Sequence, residues 1–225
     1  MAPEAFGTQL DFLKQNNYTI ISATQLIDNL SLLNLSDSDD ASLSSEKNER
    51  TRIEKGVVLT FDDGCENVYT EAFSRLNQHG FTATVFVVTD WIGEKGRLSW
   101  QQIRRLHSAG ITIASHSCSH PHLPDLDFAT MKIEIERSKD ILEQGLGAGI
   151  SLFCYPFGGF SREVVETVHN SGYRIAFTTN RSLDGISQDR FTIRRIRMNS
   201  TTNQVHLWAK CSGYYDLFRK PRQAY

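Results

Sequence analysis

From Glu4 to Gln15 the apolar residues Phe6, Leu10 and Leu13 recur at helical spacing, which predicts an amphipathic helix. Tyr18 to Ser22 reads as a short strand, and Ala23 to Leu33 as a helix with Leu26, Ile27, Leu30 and Leu33 inward. Between Asn34 and Arg50 apolar side chains almost vanish in favour of Ser, Asp, Glu and Lys, which predicts an exposed, mobile insertion. From Val57 the pattern becomes regular. Val57-Val58-Leu59-Thr60-Phe61 predicts a buried strand, and Glu66 to His79 a helix. Strand Ala83–Val88, helix Trp100–Ala109, strand Ile111–Ser115 and helix Phe128–Gln144 come next. Strand Leu152–Tyr155, helix Ser161–Ser171 and strand Arg174–Thr178 follow. Gly80, Gly110 and Gly172 each sit just past a helix, where a left-handed cap residue is wanted.

Strand alternating with helix this often implies a parallel α/β sheet covered by helices. With six or seven strands, a barrel or a barrel missing one stave fits better than an open sheet, which remains the alternative. In either architecture the chemistry belongs at the C-terminal ends of the strands. A length of 225 residues suits one domain, spanning 1–225. The formal charge of −2, with both signs mixed, argues against a nucleic-acid or polybasic membrane surface. No apolar run approaches the ~20 residues of a transmembrane segment. The start, Met1-Ala2-Pro3-Glu4, has neither a basic nor an apolar leader region. The expectation is a cytoplasmic protein, or an exported one whose native N-terminus has been removed. Cys65, Cys118, Cys154 and Cys211 show no C-x-x-C spacing and read as reduced thiols.

Three strand ends carry polar clusters. The first is Asp62-Asp63-Gly64, two carboxylates followed by a residue that permits a sharp turn; an Asp cap and a plain turn would look the same. The second is His116-Ser117-Cys118-Ser119-His120-Pro121-His122, in which Pro121 biases His120 away from helix, so a loop curling both imidazoles inward is expected. His116 and His120 with one carboxylate have the composition of a metal site with open positions, and His122 is a spare donor at the surface or behind the ligands. The third is Cys154-Tyr155-Pro156-Phe157-Gly158-Gly159, a turn that exposes backbone N–H groups. Two His and one Asp on a metal, with a second Asp to take a proton from water, make a kit for metal-assisted hydrolysis of an amide or ester.

Thr60-Phe61-Asp62-Asp63-Gly64, Ser115-His116-Ser117-Cys118-Ser119-His120 and Tyr155-Pro156-Phe157-Gly158 resemble, in order, the motifs of the polysaccharide deacetylases, the NodB-homology domains of carbohydrate esterase family 4. The resemblance runs from about Phe6 to Arg197. It implies a distorted (β/α) barrel of seven or eight strands that removes N-acetyl groups from an N-acetylglucosamine-type polymer or oligomer and releases acetate. It also implies Asp62 as general base, and Asp63, His116 and His120 as ligands of a divalent metal, typically zinc. Phe157 would offer its backbone N–H to the oxyanion, with Tyr155 and Pro156 facing substrate.

Several family features are absent. Many members carry an Arg two positions before the motif proline, where it orients the base, and here that position is Cys154. The form Phe153-Cys154-Tyr155-Pro156-Phe157-Gly158 is similar to the branch acting on poly-N-acetylglucosamine. The late Leu-x-His motif that supplies the general acid has no counterpart, leaving His206 as the candidate, with Asp184 and Asp189 as conceivable supports. The usual strand with a Tyr-His motif before the first helix is also absent, which suggests truncation or a barrel open at one edge. The competing expectations are a glycan-binding barrel without turnover and a deacetylase of a small, non-polymeric substrate.

Overall fold

Alternation of side chains along short parallel strands wraps one sheet between two separate apolar cores, and this arrangement sets where the polar residues emerge. The computed structural model describes residues 2–26, 55–179 and 189–212. Helix α1 (Pro3–Gln15) precedes β1 (Thr19–Ile20), which pairs in parallel with β2 (Gly56–Val57). The main sheet has six parallel strands in sequential order: β3 (Thr60–Phe61), β4 (Thr84–Val87), β5 (Thr112–Ser115), β6 (Leu152–Cys154), β7 (Ile175–Thr178) and β8 (Ile193–Arg194). Helices α2 (Phe73–His79), α3 (Trp100–Ser108), α4 (Phe128–Leu146) and α5 (Arg162–Asn170) provide the crossovers, and α6 (Gln204–Cys211) closes the described chain.

One core lies between sheet and helices. Val85, Val87, Ile113, Phe153 and Ala176 meet Leu76, Leu106, Met131, Ile135, Leu142 and Val168 there. The residues between them point the other way: Phe86, Ala114, Leu152, Cys154, Ile175 and Phe177 form a second cluster, closed by Val58 and Ile193. A sheet whose second face is filled by its own side chains is curled, a half-barrel consistent with the expected distorted barrel, with six strands in the main sheet where seven or eight were expected. Among the described residues the seam is open: β3 and β8 are the two edges of the sheet.

The structure refines several boundaries. The run Val57–Phe61 is half-buried and divides in two, with Gly56–Val57 pairing β1 and Thr60–Phe61 pairing β4. The helix expected from Glu66 begins as a π-helical segment, Val68–Ala72, before α2. Strand β8 and helix α6 have no counterpart in the sequence reading. Gly80, Gly110 and Gly172 take the left-handed conformation expected of them, at φ 70°, 87° and 81°. Helix α3 starts on a reciprocal cap between Ser99 and Gln102. Residues 23–26 are helical; the rest of that expected helix, the polar insertion at 34–50 and Asp184 lie outside the described residues. Among the described residues no helix is long and apolar enough to cross a membrane.

Candidate active site

Asp62 and Asp63 leave β3 in different directions because Asp63 (φ 68°) and Gly64 (φ 59°) are both left-handed, which turns the chain sharply between strand and helix. Arg97 fixes that turn. Its Nη1 donates to the Asp63 carbonyl at 2.9 Å, and its guanidinium lies 4.0 Å from the centre of the Trp91 ring.

Asp63 then faces two imidazoles. Its Oδ1 is 3.7 Å from His116 Nε2 and 3.5 Å from His120 Nε2. These separations are too long for hydrogen bonds. They match the spacing of donors around one ion, about 3.4 Å apart for bonds of ~2.1 Å at tetrahedral angles. His116 is buried, and its Nδ1 lies 2.7 Å from the Cys154 carbonyl, which makes Nδ1 the protonated nitrogen and leaves Nε2 with a lone pair toward Asp63. Burial pushes the His116 pKa below its ordinary value despite the nearby Asp62 carboxylate, so the ring is neutral, as a ligand requires. His120 (φ 65°) reaches the same point from an irregular loop, its ring packed between Trp91 (5.3 Å) and Phe157 (4.6 Å). Asp63, His116 and His120 therefore fit a divalent ion.

A second group of possible ligands, Asp62, His116 and Cys154, does not fit one, because it already surrounds a cation. Arg195 grips Asp62 with two bonds, Nη1 to Oδ1 at 2.6 Å and Nη2 to Oδ2 at 2.7 Å. The same guanidinium donates to Thr60 Oγ1 at 3.1 Å and to Cys154 Sγ at 3.0 Å. Burial pushes the Cys154 thiol well up, so it accepts this bond as a neutral group. Arg195 thus stands beside Cys154, the residue at the expected arginine position, and reaches Asp62 from the segment just after β8. Its position follows from period-2 alternation: Ile193 faces the inner core, and Arg195 lies two residues on. Burial raises the Asp62 pKa, but the Arg195 hydrogen bonds and charge outweigh it and hold the carboxyl below its usual range. Removing Arg195 takes away the largest influences that oppose burial. In Arg195→Gln the acid limb of kcat/KM, measured at saturating metal, should therefore move to higher pH. An unmoved limb would show that Arg195 does not tune Asp62.

The third motif places its members unequally. Phe157 (φ 56°) is 66% exposed at the mouth. The N–H groups of Gly158 and Gly159 bond the Tyr155 and Pro156 carbonyls, while that of Phe157 takes no acceptor among the described residues. Tyr155 and Pro156, expected to face substrate, are both buried and are not exposed at the mouth. Tyr155 is wholly buried on the helix side, as alternation from Cys154 dictates, with its hydroxyl donating to the Phe191 carbonyl at 2.9 Å, and Pro156 is buried beneath the turn. His206 is exposed on α6, where its backbone N–H bonds the capping Asn203, and no contact brings its ring to Asp62. Asp189 caps Phe191 N–H instead of supporting an acid. His122 pairs with Asp125 at 2.9 Å, near the surface as expected. All four cysteines are free.

The family model described as polysaccharide deacetylase matches residues 49–176, more than half of the chain and all three strand-end motifs. The chain belongs to the polysaccharide deacetylase family. Among curated polysaccharide deacetylase relatives, the peptidoglycan-N-acetylmuramic acid deacetylase PdaA of Bacillus subtilis is 30% identical over 55% of this chain and 46% of its own. A poly-β-1,6-N-acetyl-D-glucosamine N-deacetylase of Staphylococcus aureus is 20% identical over 72% of this chain and 60% of its own. The chain spans about half the length of the first curated relatives it matches. The solved Streptococcus pyogenes deacetylase PplD, in complex with acetate, shares the fold with a TM-score of 0.80 at 23% identity, over 93% of this chain and 86% of its own. Arg195 lies beyond the span that the polysaccharide deacetylase model matches.

Proposed function

We propose that this chain hydrolyses the N-acetyl group of an N-acetylglucosamine-type polysaccharide, with Asp63, His116 and His120 holding a divalent ion, zinc in the first instance, and Asp62 as general base. The observation that carries this reading is the pairing of an unengaged Asp63–His116–His120 donor set with a second carboxylate locked in place by Arg195. A divalent ion, when bound, supplies the Lewis acidity that makes water nucleophilic near neutral pH and polarises an acetyl carbonyl. Every other task falls to the chain. Asp62, ionised through neutral pH, takes the proton of the attacking water. The Phe157 N–H offers a donor to the developing oxyanion, and such a donor is worth ~10²–10³ in rate.

An amide anion leaves poorly, so the amine must be protonated. All seven histidines lie among the described residues, and only His116 and His120 approach Asp63 or Asp62. We therefore read Asp62 as the group that also returns the proton. The exposed Phe157 ring beside His120 gives a sugar face an apolar surface to rest on.

The named relatives suggest peptidoglycan glycan strands and poly-β-1,6-N-acetylglucosamine as trial substrates. Acetate release should be measured from both, from N-acetylglucosamine oligomers and from the monomer. Release from polymer or oligomer, with little from monomer, is expected. A metal-loaded protein inert on all of them would overturn the enzymatic reading, and monomer turnover alone would overturn the polymer.

A further inference from the structure

The loop joining His116 to His120 has a conformation that its sequence does not favour. Ser117 and His120 are both left-handed, at φ 66° and 65°, and neither is glycine. Something outside the loop must select this form, because the spacing of the two imidazoles depends on it. One local bond and the segment after β4 supply part of the answer: Ser117 Oγ accepts the His120 N–H at 3.0 Å, and the Thr89 and Asp90 N–H groups donate to the Ser117 and Cys118 carbonyls at 3.3 and 2.9 Å. The remaining support converges on one carboxylate. Glu134 Oε2 accepts the N–H groups of both Cys118 and Ser119 at 2.9 Å, and its Oε1 accepts the Ser119 hydroxyl at 2.7 Å.

We propose that Glu134 is a positioning residue that sets the separation and aim of His116 and His120, so that metal affinity depends on it although it touches no metal. The proposal rests on the metal-site reading above. Glu134 is well placed for this. It stands on the 19-residue helix α4, between Met131 and Ile135, which are both buried in the helix-side core. Helix α4 and the sheet are thus one packed body, and Glu134 transmits its position to the three residues between the ligands. Two N–H groups converging on one ionised oxygen form a charge-assisted pair. That pair fixes the Cys118–Ser119 peptide, and the flanking left-handed residues then turn both imidazoles to Asp63. No motif of the sequence marks Glu134, because its partners are backbone groups 15 and 16 residues away.

The test is zinc affinity, measured on metal-stripped protein by competition with a chromophoric chelator, with far-UV circular dichroism confirming the fold. Outer-shell partners of metal ligands typically carry 10- to 100-fold in affinity. Glu134→Ala should therefore bind zinc about 10- to 100-fold more weakly. Glu134→Gln should stay near wild type, because its single oxygen still accepts both N–H groups and its amide can donate to Ser119 Oγ. Glu134→Asp keeps the charge but falls about 1.5 Å short, and should be intermediate; it serves if the alanine variant does not fold. The control is Glu143→Ala. Glu143, also on α4, accepts the Ile150 N–H and pairs with Lys139, so it supports a loop away from the site. It should lower thermal stability and leave zinc affinity unchanged. Wild-type affinity in folded Glu134→Ala or Glu134→Asp, or equal weakening in Glu143→Ala, would overturn the positioning role while leaving the metal site intact. No zinc binding by the wild type would overturn the metal site itself, and this role with it.

Discussion

His116→Ala should bind zinc at least ~100-fold more weakly than wild type, beyond the range usual for outer-shell partners, and release no acetate above background. The ring removed is nearly sealed from solvent, its side chain 3% exposed, and it supplies one of three donors. The two that remain, Asp63 and His120, would hold an ion only by a solvent-facing carboxylate and a loop imidazole. The substitution also orphans the Cys154 carbonyl, which accepts from Nδ1, and an unsatisfied buried polar group costs about 1–3 kcal/mol. Lost metal must therefore be separated from lost fold. His120→Ala provides that separation, because its ring lies nearer the surface and its Nε2 serves only the site. Metal stoichiometry by mass spectrometry on the three proteins, prepared identically, gives the answer. Full metal content in both variants would sink the proposed centre.

Asp62→Asn tests the chemistry with the metal left in place. The amide matches the carboxylate in shape but cannot accept a proton, and general-base contributions of this kind run to ~10²–10⁴ in rate. A fall in kcat of that size, with zinc content unchanged, is the expected outcome. The substitution has a second effect. Arg195 is 12% exposed, and its charge is balanced by the carboxylate that Asn removes. Breaking a buried pair by removing one partner costs about 3–5 kcal/mol, and less here because the Asn oxygen still accepts one bond. The melting temperature should therefore fall along with the rate. Activity within a few fold of wild type would remove Asp62 from the mechanism.

The three strand-end motifs were legible because strand alternation and the C-terminal-end rule constrain the same residues. Asp63, His116 and His120 converge where the sequence reading placed them, and the helix-capping glycines take the expected conformation. Strand β8 was illegible for a physical reason. Two residues paired to β7 carry too little alternation to stand out, and Arg194-Arg195-Ile196-Arg197 reads as solvated chain unless Ile193 is known to face inward. Arg195 is therefore hidden in the sequence, although it contacts both Asp62 and Cys154, where the expected arginine is absent. Tyr155 belongs to the same motif as Phe157, yet alternation turns it to the opposite face, into the helix-side core. Glu134 depends on contacts between separate elements, which a linear pattern does not carry.

The open seam ties two selective pressures together. Edge strands β3 and β8 share no backbone ladder, and across the gap Arg195 reaches Asp62 and Thr60 through side chains. In many enzymes the catalytic group is a liability to the fold, so its loss makes the protein sturdier at the expense of turnover. Here the carboxylate proposed to perform the proton transfer is also the clasp between the two ends of the sheet. A lineage drifting toward inactivity through Asp62 would lose robustness at the same step. Retention of Asp62 therefore needs no continuous demand for rate, and a relative that has abandoned hydrolysis is expected to keep this pair or to replace both members together.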